Sequence, residues 1–394
     1  MLPGLFVWCE AGLYACALVL PTLLALVPRG AAPLAGVAGL CAAGAIVADP
    51  SRGLTGLRFP AAMLGVLLLW GVLSATWAFD PWRSVALDVR LAGSFIAALA
   101  LAAAASRIAT PWRLALFLLA GTGFAIIVAL ADWTTAGGIS RYVTVRPFAG
   151  PRFNQIAVWL ALLVLPAAAL LVCRGRVLLA IIAATTMTGM VYFLDGLAAK
   201  TALALSLPVG ALIYFRQRLV CRIAAALSVI AILTAPLTLP RLDEIPAVMA
   251  EAGSLKSSAT HRLLIWSFVG DRIAERPMRG WGLDSSRSIP GGQVEIRPGQ
   301  KLLPLHPHNA ALQVWLELGV PGAVLLALFV AWLWLRLAAA PWPRPYAAAA
   351  GGSLSAALAV AFAGWGIWQE WWIATLGMAA FAILVMARAT TRAG

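Results

Sequence analysis

The chain has 394 residues, 62% of them hydrophobic and 11% charged, and its formal net charge of +14 is carried almost entirely by arginine. That balance excludes an ordinary soluble domain. It also excludes a nucleic-acid binder of the usual kind, which gathers its charge on a polar domain, because here the arginines punctuate the ends of apolar runs.

The runs are about twenty residues long and rich in Ala and Leu, the length at which a helix satisfies its own backbone across lipid. A barrel would need alternating segments of about ten residues instead. In chain order they predict about twelve spans, near 5–27, 31–48, 59–78, 84–105, 112–132, 153–173, 177–194, 197–214, 220–239, 310–335, 346–366 and 369–387. The first run lacks a cleavage-site pattern and reads as a retained helix. In the fourth, Asp88 and Arg90 interrupt the apolar pattern. Charge inside a span costs ~2.5–3.5 kcal/mol, so both are expected to face the bundle interior. The stretch 177–214 is either two short spans turning near Gly196 or a broken pair lining a polar cavity. Cys9, Cys16, Cys41, Cys173 and Cys221 lie in or beside apolar runs, and their spacing fits neither a disulfide in the polar segment nor a metal site.

The chain divides into an N-terminal transmembrane bundle at 1–239, a long polar segment at 240–309 and C-terminal transmembrane helices at 310–394. Orientation follows from the loops. Arg52, Arg58, Arg107, Arg113, Arg174, Arg176, Arg216, Arg218, Arg222, Arg336, Arg344, Arg388 and Arg392 fall in short connections and the tail, almost free of acids. By the positive-inside rule that side is cytoplasmic, with both termini, and the long segment faces the periplasm of a bacterial inner membrane. A shorter loop, about 133–152, shares that outer face.

The long segment has internal pattern. Ser258-Ala-Thr-His-Arg262-Leu-Leu-Ile-Trp266 carries apolar residues at helical spacing behind a Ser/Thr start. Pro277, Gly280 and Gly282 mark turns, and Gly291-Gly292 with Pro298-Gly299 mark a flexible part that could act as a lid. All three histidines of the chain, His261, His306 and His308, fall in this interval. His306-Pro307-His308-Asn309 stands where a span begins. His308 or Asn309 could cap that helix, and a histidine there could be a general base with an ordinary pKa near ~6.5, worth roughly 10²–10⁴ in rate. A metal pair is the weaker alternative, since an H-x-H needs further ligands. The chain also lacks the Asp-x-Asp of many metal-dependent sugar transferases. No metal and no cofactor is expected.

The dependable cations are guanidinium groups, which suit phosphate and keep their charge when partly desolvated. Arg146, Arg152, Lys200 and Arg262 all belong to the outer face, against the topology rule, and form the candidate anion-binding set. Arg272, Arg276, Arg279 and Arg287 are expected chiefly to pair with Asp271, Glu275 and Asp284 or to meet lipid headgroups. The aromatics of Trp368-Gln-Glu-Trp-Trp372 read as an interfacial belt.

Three local matches resemble the O-antigen ligase / O-antigen polymerase superfamily of bacterial membrane proteins. The first runs from Pro304-Leu-His-Pro-His308-Asn309 through Leu312-Gln313 to Glu317-Leu-Gly319-Val-Pro-Gly322. The second joins Arg262-Leu-Leu-Ile-Trp266 to Pro277-Met-Arg-Gly280-Trp-Gly282. The third and weakest is Arg152-Phe-Asn154-Gln155-Ile-Ala157. One departure is Ala198-Ala-Lys200-Thr-Ala202, where the family often has Ser-Arg-Gly/Ala, so Lys200 supplies charge without a bidentate fork.

The resemblance implies an all-α, GT-C-like membrane glycosyltransferase of about twelve transmembrane helices, whose large periplasmic loop contains short helices. It implies glycan transfer from an undecaprenyl-pyrophosphate donor to an acceptor hydroxyl, first of all that of lipid A–core oligosaccharide. His308 is then the base and His306 its neighbour. Arg262, Lys200, Arg146 and Arg152 bind the pyrophosphate, with Asn309, Gln313, Trp266 and Asn154 in support. Transfer is metal-independent, with inversion the simplest outcome. The alternatives are an O-antigen polymerase or a protein oligosaccharyltransferase of the same superfamily. From a different class comes a transporter of the lipid-linked glycan, disfavoured because ionisable residues gather at one face rather than deep in the spans. The partners are the donor, the acceptor and membrane lipids, with no nucleic acid.

Overall fold

The apolar runs form helices throughout the computed structural model, which describes residues 3–144, 153–255 and 257–390. In chain order the helices are α1 (Pro3–Leu26), α2 (Ala31–Ala48), α3 (Arg58–Ser74), α4 (Pro81–Ala105), α5 (Pro111–Thr134), the short α6 (Ser140–Val143), α7 (Asn154–Cys173), α8 (Val177–Phe193), α9 (Leu197–Thr238), α10 (Pro246–Leu255), α11 (Ser257–Glu275), α12 (Ala310–Ala338), α13 (Arg344–Ala363) and α14 (Glu370–Ala389). Ten of them are long and apolar enough to cross a membrane. The protein is therefore an all-α polytopic membrane protein.

The ambiguous 177–214 stretch resolves as two helices meeting at Gly196, since α8 ends at Phe193 and α9 starts at Leu197. α9 is 42 residues long but leaves helical geometry at Arg216 (φ −141°, ψ 54°). Each part is long enough to cross. α8, at 17 residues, is apolar but shorter than the ten spans, of which that of α3 runs on to Trp77.

α7 is the central helix. Fourteen of its twenty residues are buried, on every side, which marks a helix surrounded by others. Trp159 is fully buried and its indole donates to Thr122 of α5 at 3.3 Å. Small residues let α13 approach α9 closely, with Gly210 against the Ala348 carbonyl and Gly352 against that of Ser206.

The arginines on the face opposite the long loop are largely structural. Arg107 is buried and donates to the carbonyls of Asp49 (2.9 Å), Ala103 (2.9 Å) and Arg52. Arg388 donates to those of Ala105 and Ile108. Helix C-termini leave such carbonyls without partners, and guanidinium groups satisfy them. Arg174 and Arg176 lie over the Trp112 ring at 4.9 and 5.3 Å.

On the loop face the chain passes through α10 and α11 and returns to α12. The part expected to be a flexible lid is instead a two-stranded hairpin, β1 (Glu295–Arg297) with β2 (Gln300–Lys301). Pro298-Gly299 is its turn, and Gly299 at φ +72° supplies the left-handed residue that a Pro-Gly turn needs. A second expectation is corrected in α4. Asp88 is buried, but Arg90 points out of the bundle and pairs with Glu370 at 2.7 Å, with about half of its side chain exposed. The aromatic belt is corrected as well. Trp368 and Trp372 are buried at 6% and 1% exposure, because the 364–369 connection folds inward against α12.

That inward fold has a counterpart. α12 breaks at Gly319 (φ 61°, ψ −155°), a conformation open only to glycine. The turn Pro277–Gly282 fills the break with three backbone hydrogen bonds: Trp281 N–H to Leu316 O at 2.9 Å, Gly282 N–H to Glu317 O at 2.8 Å and Val320 N–H to Pro277 O at 3.0 Å. A Cβ at Gly280 would lie 2.5 Å from the Glu317 carbonyl, and one at Gly319 would lie 2.6 Å from the Met278 oxygen. Neither clash can relax, because backbone meets backbone. Gly280→Ala and Gly319→Ala are each expected to cost about 2–4 kcal/mol, read as a lowered unfolding midpoint of the detergent-solubilised protein. An unchanged midpoint for both would mean that this docking does not hold the loop.

Candidate active site

His308 is placed by its backbone before its side chain. It adopts φ +57°, a left-handed conformation that histidine tolerates better than most residues. Pro307 precedes it and is anchored by Trp266, whose indole donates to the Pro307 carbonyl at 3.0 Å. Asn309 follows, and between the two candidate caps it is Asn309 that caps α12, accepting from Leu312 N–H at 3.0 Å. Its amide also donates to the Phe362 carbonyl at 3.0 Å. The strained residue is thus held on both sides.

The His308 ring meets the connection between α13 and α14. Its Nδ1 lies 2.6 Å from the Gly364 carbonyl oxygen. A carbonyl only accepts, so Nδ1 carries the proton and Nε2 keeps its lone pair. Among the described residues Nε2 has no hydrogen-bond partner.

His306 lies beside it, with ring centroids 4.3 Å apart. Its Nδ1 accepts from the His308 N–H at 3.3 Å, so its Nε2 carries the hydrogen. That Nε2 stands 3.2 Å from Gln369 Nε2, an N–H facing an N–H, while Gln369 Oε1 is buried without a partner. Turning the Gln369 amide over resolves both faults, because Oε1 then accepts from His306. His306 is locked in one neutral tautomer with both nitrogens occupied. His308 is the imidazole with a free lone pair.

Beneath them sits Glu317, fully buried. Oε1 accepts from the Ser286 hydroxyl and from Gln313 Nε2 at 3.2 Å. Oε2 accepts from Asp284 N–H and from the Trp368 indole, both at 2.7 Å. Gln313 Oε1 in turn accepts from Ile367 N–H at 3.0 Å. One carboxylate therefore ties the loop, α12 and the α13–α14 connection together. Asp284 itself bridges Arg83 (2.7 Å) and Arg287 (3.0 Å).

The pKa expected for His308 is corrected. Burial pushes it down to about 4, with Arg262 and His261 adding to the effect and the Gly364 hydrogen bond opposing it. His306 goes down to about 3, through burial, His308, Arg287 and Arg262. Arg262 lies one helical turn before Trp266 on the same face of α11, which is why it reaches the histidines. It is half-buried, makes no ion pair or hydrogen bond among the described residues, and is lowered by burial while remaining a cation.

The other candidates fall elsewhere. The Lys200 N–H bonds the Gly196 carbonyl at 3.1 Å, and the Asn154 amide oxygen lies 3.2 Å from where a Gly196 Cβ would be. Lys200 and Asn154 thus share one corner at the loop-face ends of α7 and α9. Asn154 Oδ1 and Gln155 Oε1 are buried there without partners. No hydrogen bond or ion pair among the described residues joins this corner to His308. Arg146 and Arg152 lie outside the described residues. No group of three or more His, Cys, Asp or Glu side chains is arranged to hold a metal among the described residues.

Gly364 and Gln369, which hold the two histidines, were not among the expected site residues. The signal for Gln369 was the Gln-Glu pair inside an otherwise aromatic run, where a belt would have no use for buried amides, while Gly364 carried no local signal.

A bundle of apolar helices with histidines, a buried carboxylate and an unpaired guanidinium at one mouth defines a polytopic membrane protein with its polar chemistry at one face. Residues 177–327, from α8 through the break in α12, match the family described as O-antigen ligase. Three relatives share the name "Putative polysaccharide ligase". That of Rickettsia prowazekii is 34% identical over 197 residues, that of Rickettsia typhi 33% over 196 and that of Rickettsia conorii 31% over 193. Each match covers 47% of this chain and 47% of the relative, so the chain spans about half the length of the curated relatives it matches. No solved structure matches.

Replacing Glu317 by Gln sets an NH₂ group against donors that now share a carboxylate. The expected cost is about 1–3 kcal/mol, read as a lower unfolding midpoint, together with faster proteolysis in the 277–286 segment. A variant as stable and as protected as the parent would remove Glu317 from this role.

Proposed function

We propose that the protein is a glycosyltransferase that moves a glycan from undecaprenyl pyrophosphate to a sugar hydroxyl of lipid A–core, as an O-antigen ligase. The observation that carries this reading is His308 Nε2, left with a lone pair and no hydrogen-bond partner by the Nδ1 bond to the Gly364 carbonyl, beside Arg262, which has no partner among the described residues. The family match over residues 177–327 and the names of the relatives support it.

His308 Nε2 takes the proton of the acceptor hydroxyl. The hydroxyl oxygen bonds to the anomeric carbon as the bond from that carbon to the pyrophosphate oxygen breaks. The carrier leaves as an anion, stabilised by Arg262 together with Lys200, Arg146 and Arg152. Base and leaving group stand on opposite sides of the sugar, so the configuration inverts. Asn154 offers an acceptor oxygen to the donor's polar part. The loop face is periplasmic and both termini are cytoplasmic in a bacterial inner membrane, supported by the Arg-rich short connections on the opposite face.

The low pKa of His308 becomes a gating device. Arg262 adds to the burial that holds the imidazole down to about 4. A bound pyrophosphate cancels that charge and raises the proton affinity as the proton has to be taken.

His308→Ala is expected to slow transfer by purified protein roughly 10²–10⁴-fold, and near-normal turnover removes His308 as the base. Because kcat/KM reports the free enzyme, its acid limb should fall at about 4, with activity lost as falling pH protonates Nε2. The kcat limb should lie above that by the part of the depression that Arg262 causes, because burial, the larger cause, remains. A kcat/KM limb near ~6.5 that Arg262→Ala does not move would refute the gating. In a deletion strain, smooth-to-rough lipopolysaccharide with accumulated long carrier-linked chains is the ligase outcome. Single-repeat chains would instead make the protein a polymerase.

A further inference from the structure

The turn that fills the break in α12 carries two cations with no assigned use. Arg276 and Arg279 flank Pro277-Met278, and neither has a carboxylate within ion-pair distance among the described residues. The nearby acids are already engaged. Glu275 pairs with Arg272 at 2.8 Å, Asp284 with Arg83 and Arg287, and Asp80 caps α4 by accepting from Arg83 N–H.

Both free guanidinium groups lie instead on indoles. Arg276 sits 3.9 Å from the centre of the Trp281 ring, and Arg279 5.7 Å from that of Trp77. Trp281 stacks on Phe79 at 5.6 Å and 13°. A guanidinium held over a ring is positioned without being neutralised, so its N–H groups remain available to a phosphate. Trp77 and Phe79 come from the connection between α3 and α4, so the ladder stands where two apolar helices end on the loop face. Met278 and Phe79 are 67% and 47% exposed beside it. Apolar tips next to open cations at the ends of spans form the profile of a membrane interface.

We propose that Arg276 and Arg279, backed by Trp281, Trp77 and Phe79, bind the phosphate of an anionic lipid headgroup in the leaflet on the loop face. Charge complementarity selects the headgroup, and the exposed Met278 and Phe79 select a lipid over a free ion. The turn that carries them is bonded into the Gly319 break, whereas His308 precedes the start of α12. It concerns binding alone, so it stands or falls independently of glycan transfer.

The full chain, purified in a neutral detergent, is titrated with phosphatidylglycerol and with phosphatidylcholine of the same acyl chains, and bound lipid is counted by native mass spectrometry. Two guanidinium groups predict about a thirtyfold preference for phosphatidylglycerol. Arg276→Gln with Arg279→Gln should abolish it, while Arg241→Gln, outside the ladder, should leave it intact. Arg279 is exposed, so Arg279→Gln alone serves if the double variant fails to fold, and it should lose about fivefold of the preference. Equal binding of the two lipids overturns the proposal, as does a preference that the Arg279 change leaves undiminished. Displacement of phosphatidylglycerol by millimolar inorganic phosphate would overturn it too, making this a free-anion site.

Discussion

The buried carboxylate of Glu317 is the point on which the loop face depends. Desolvating such a group costs several kcal/mol unless its lone pairs are met, and four donors from three separate parts of the chain meet them. The same burial that makes the group costly therefore makes the assembly specific. Loop, helix and connection have to arrive together, because any one left out strands a polar group in an apolar surround. The connection brought in this way contributes Gly364 and Gln369, which fix the tautomers of both histidines. Glu317 touches neither imidazole and still decides where they point.

Charge on the two faces is handled in opposite ways. On the Arg-rich face, Arg107 and Arg388 spend their donors on helix-end carbonyls, and Arg174 and Arg176 cover Trp112. On the loop face Arg262 has no partner among the described residues although it is half-buried, and Arg276 and Arg279 rest on aromatic rings. A guanidinium that is positioned but not neutralised keeps its field for an incoming anion. Positioning by stacking and packing, rather than by carboxylates, is what makes that possible.

Much of this was legible in the amino-acid sequence. Lipid leaves the backbone so few options that apolar runs of about twenty residues declare themselves as helices, and the long polar interval holding all the histidines stood out against them. The Arg262 to Trp266 spacing already implied one face of one helix. What stayed hidden was set by long-range contact. The ring-to-carbonyl bond from His308 to Gly364 joins residues 56 apart, and nothing local to either announces it. The depressed pKa of His308 is likewise a property of its surroundings and not of His-Pro-His-Asn. Trp368-Gln-Glu-Trp-Trp372 misled because aromatic residues at a span end suit a lipid belt and an inward fold equally well. The Pro-Gly pair at 298–299 misled because the same dipeptide serves a loose loop and a tight hairpin turn.

The break at Gly319 also separates two rotational phases. An α-helix carries the orientation of its side chains along its length at about 100° per residue, so a twist at one end is felt at the other. Across Gly319 that transmission stops, because the hydrogen-bond ladder of α12 is interrupted and the turn 277–282 is bonded into the gap. The stretch 310–318 takes its bearing from the loop, and the stretch beyond takes its own from the bundle. The His308 imidazole therefore takes its aim from how the loop seats on 310–318, and the roll of the membrane-embedded part of α12 is set by the helices it packs against.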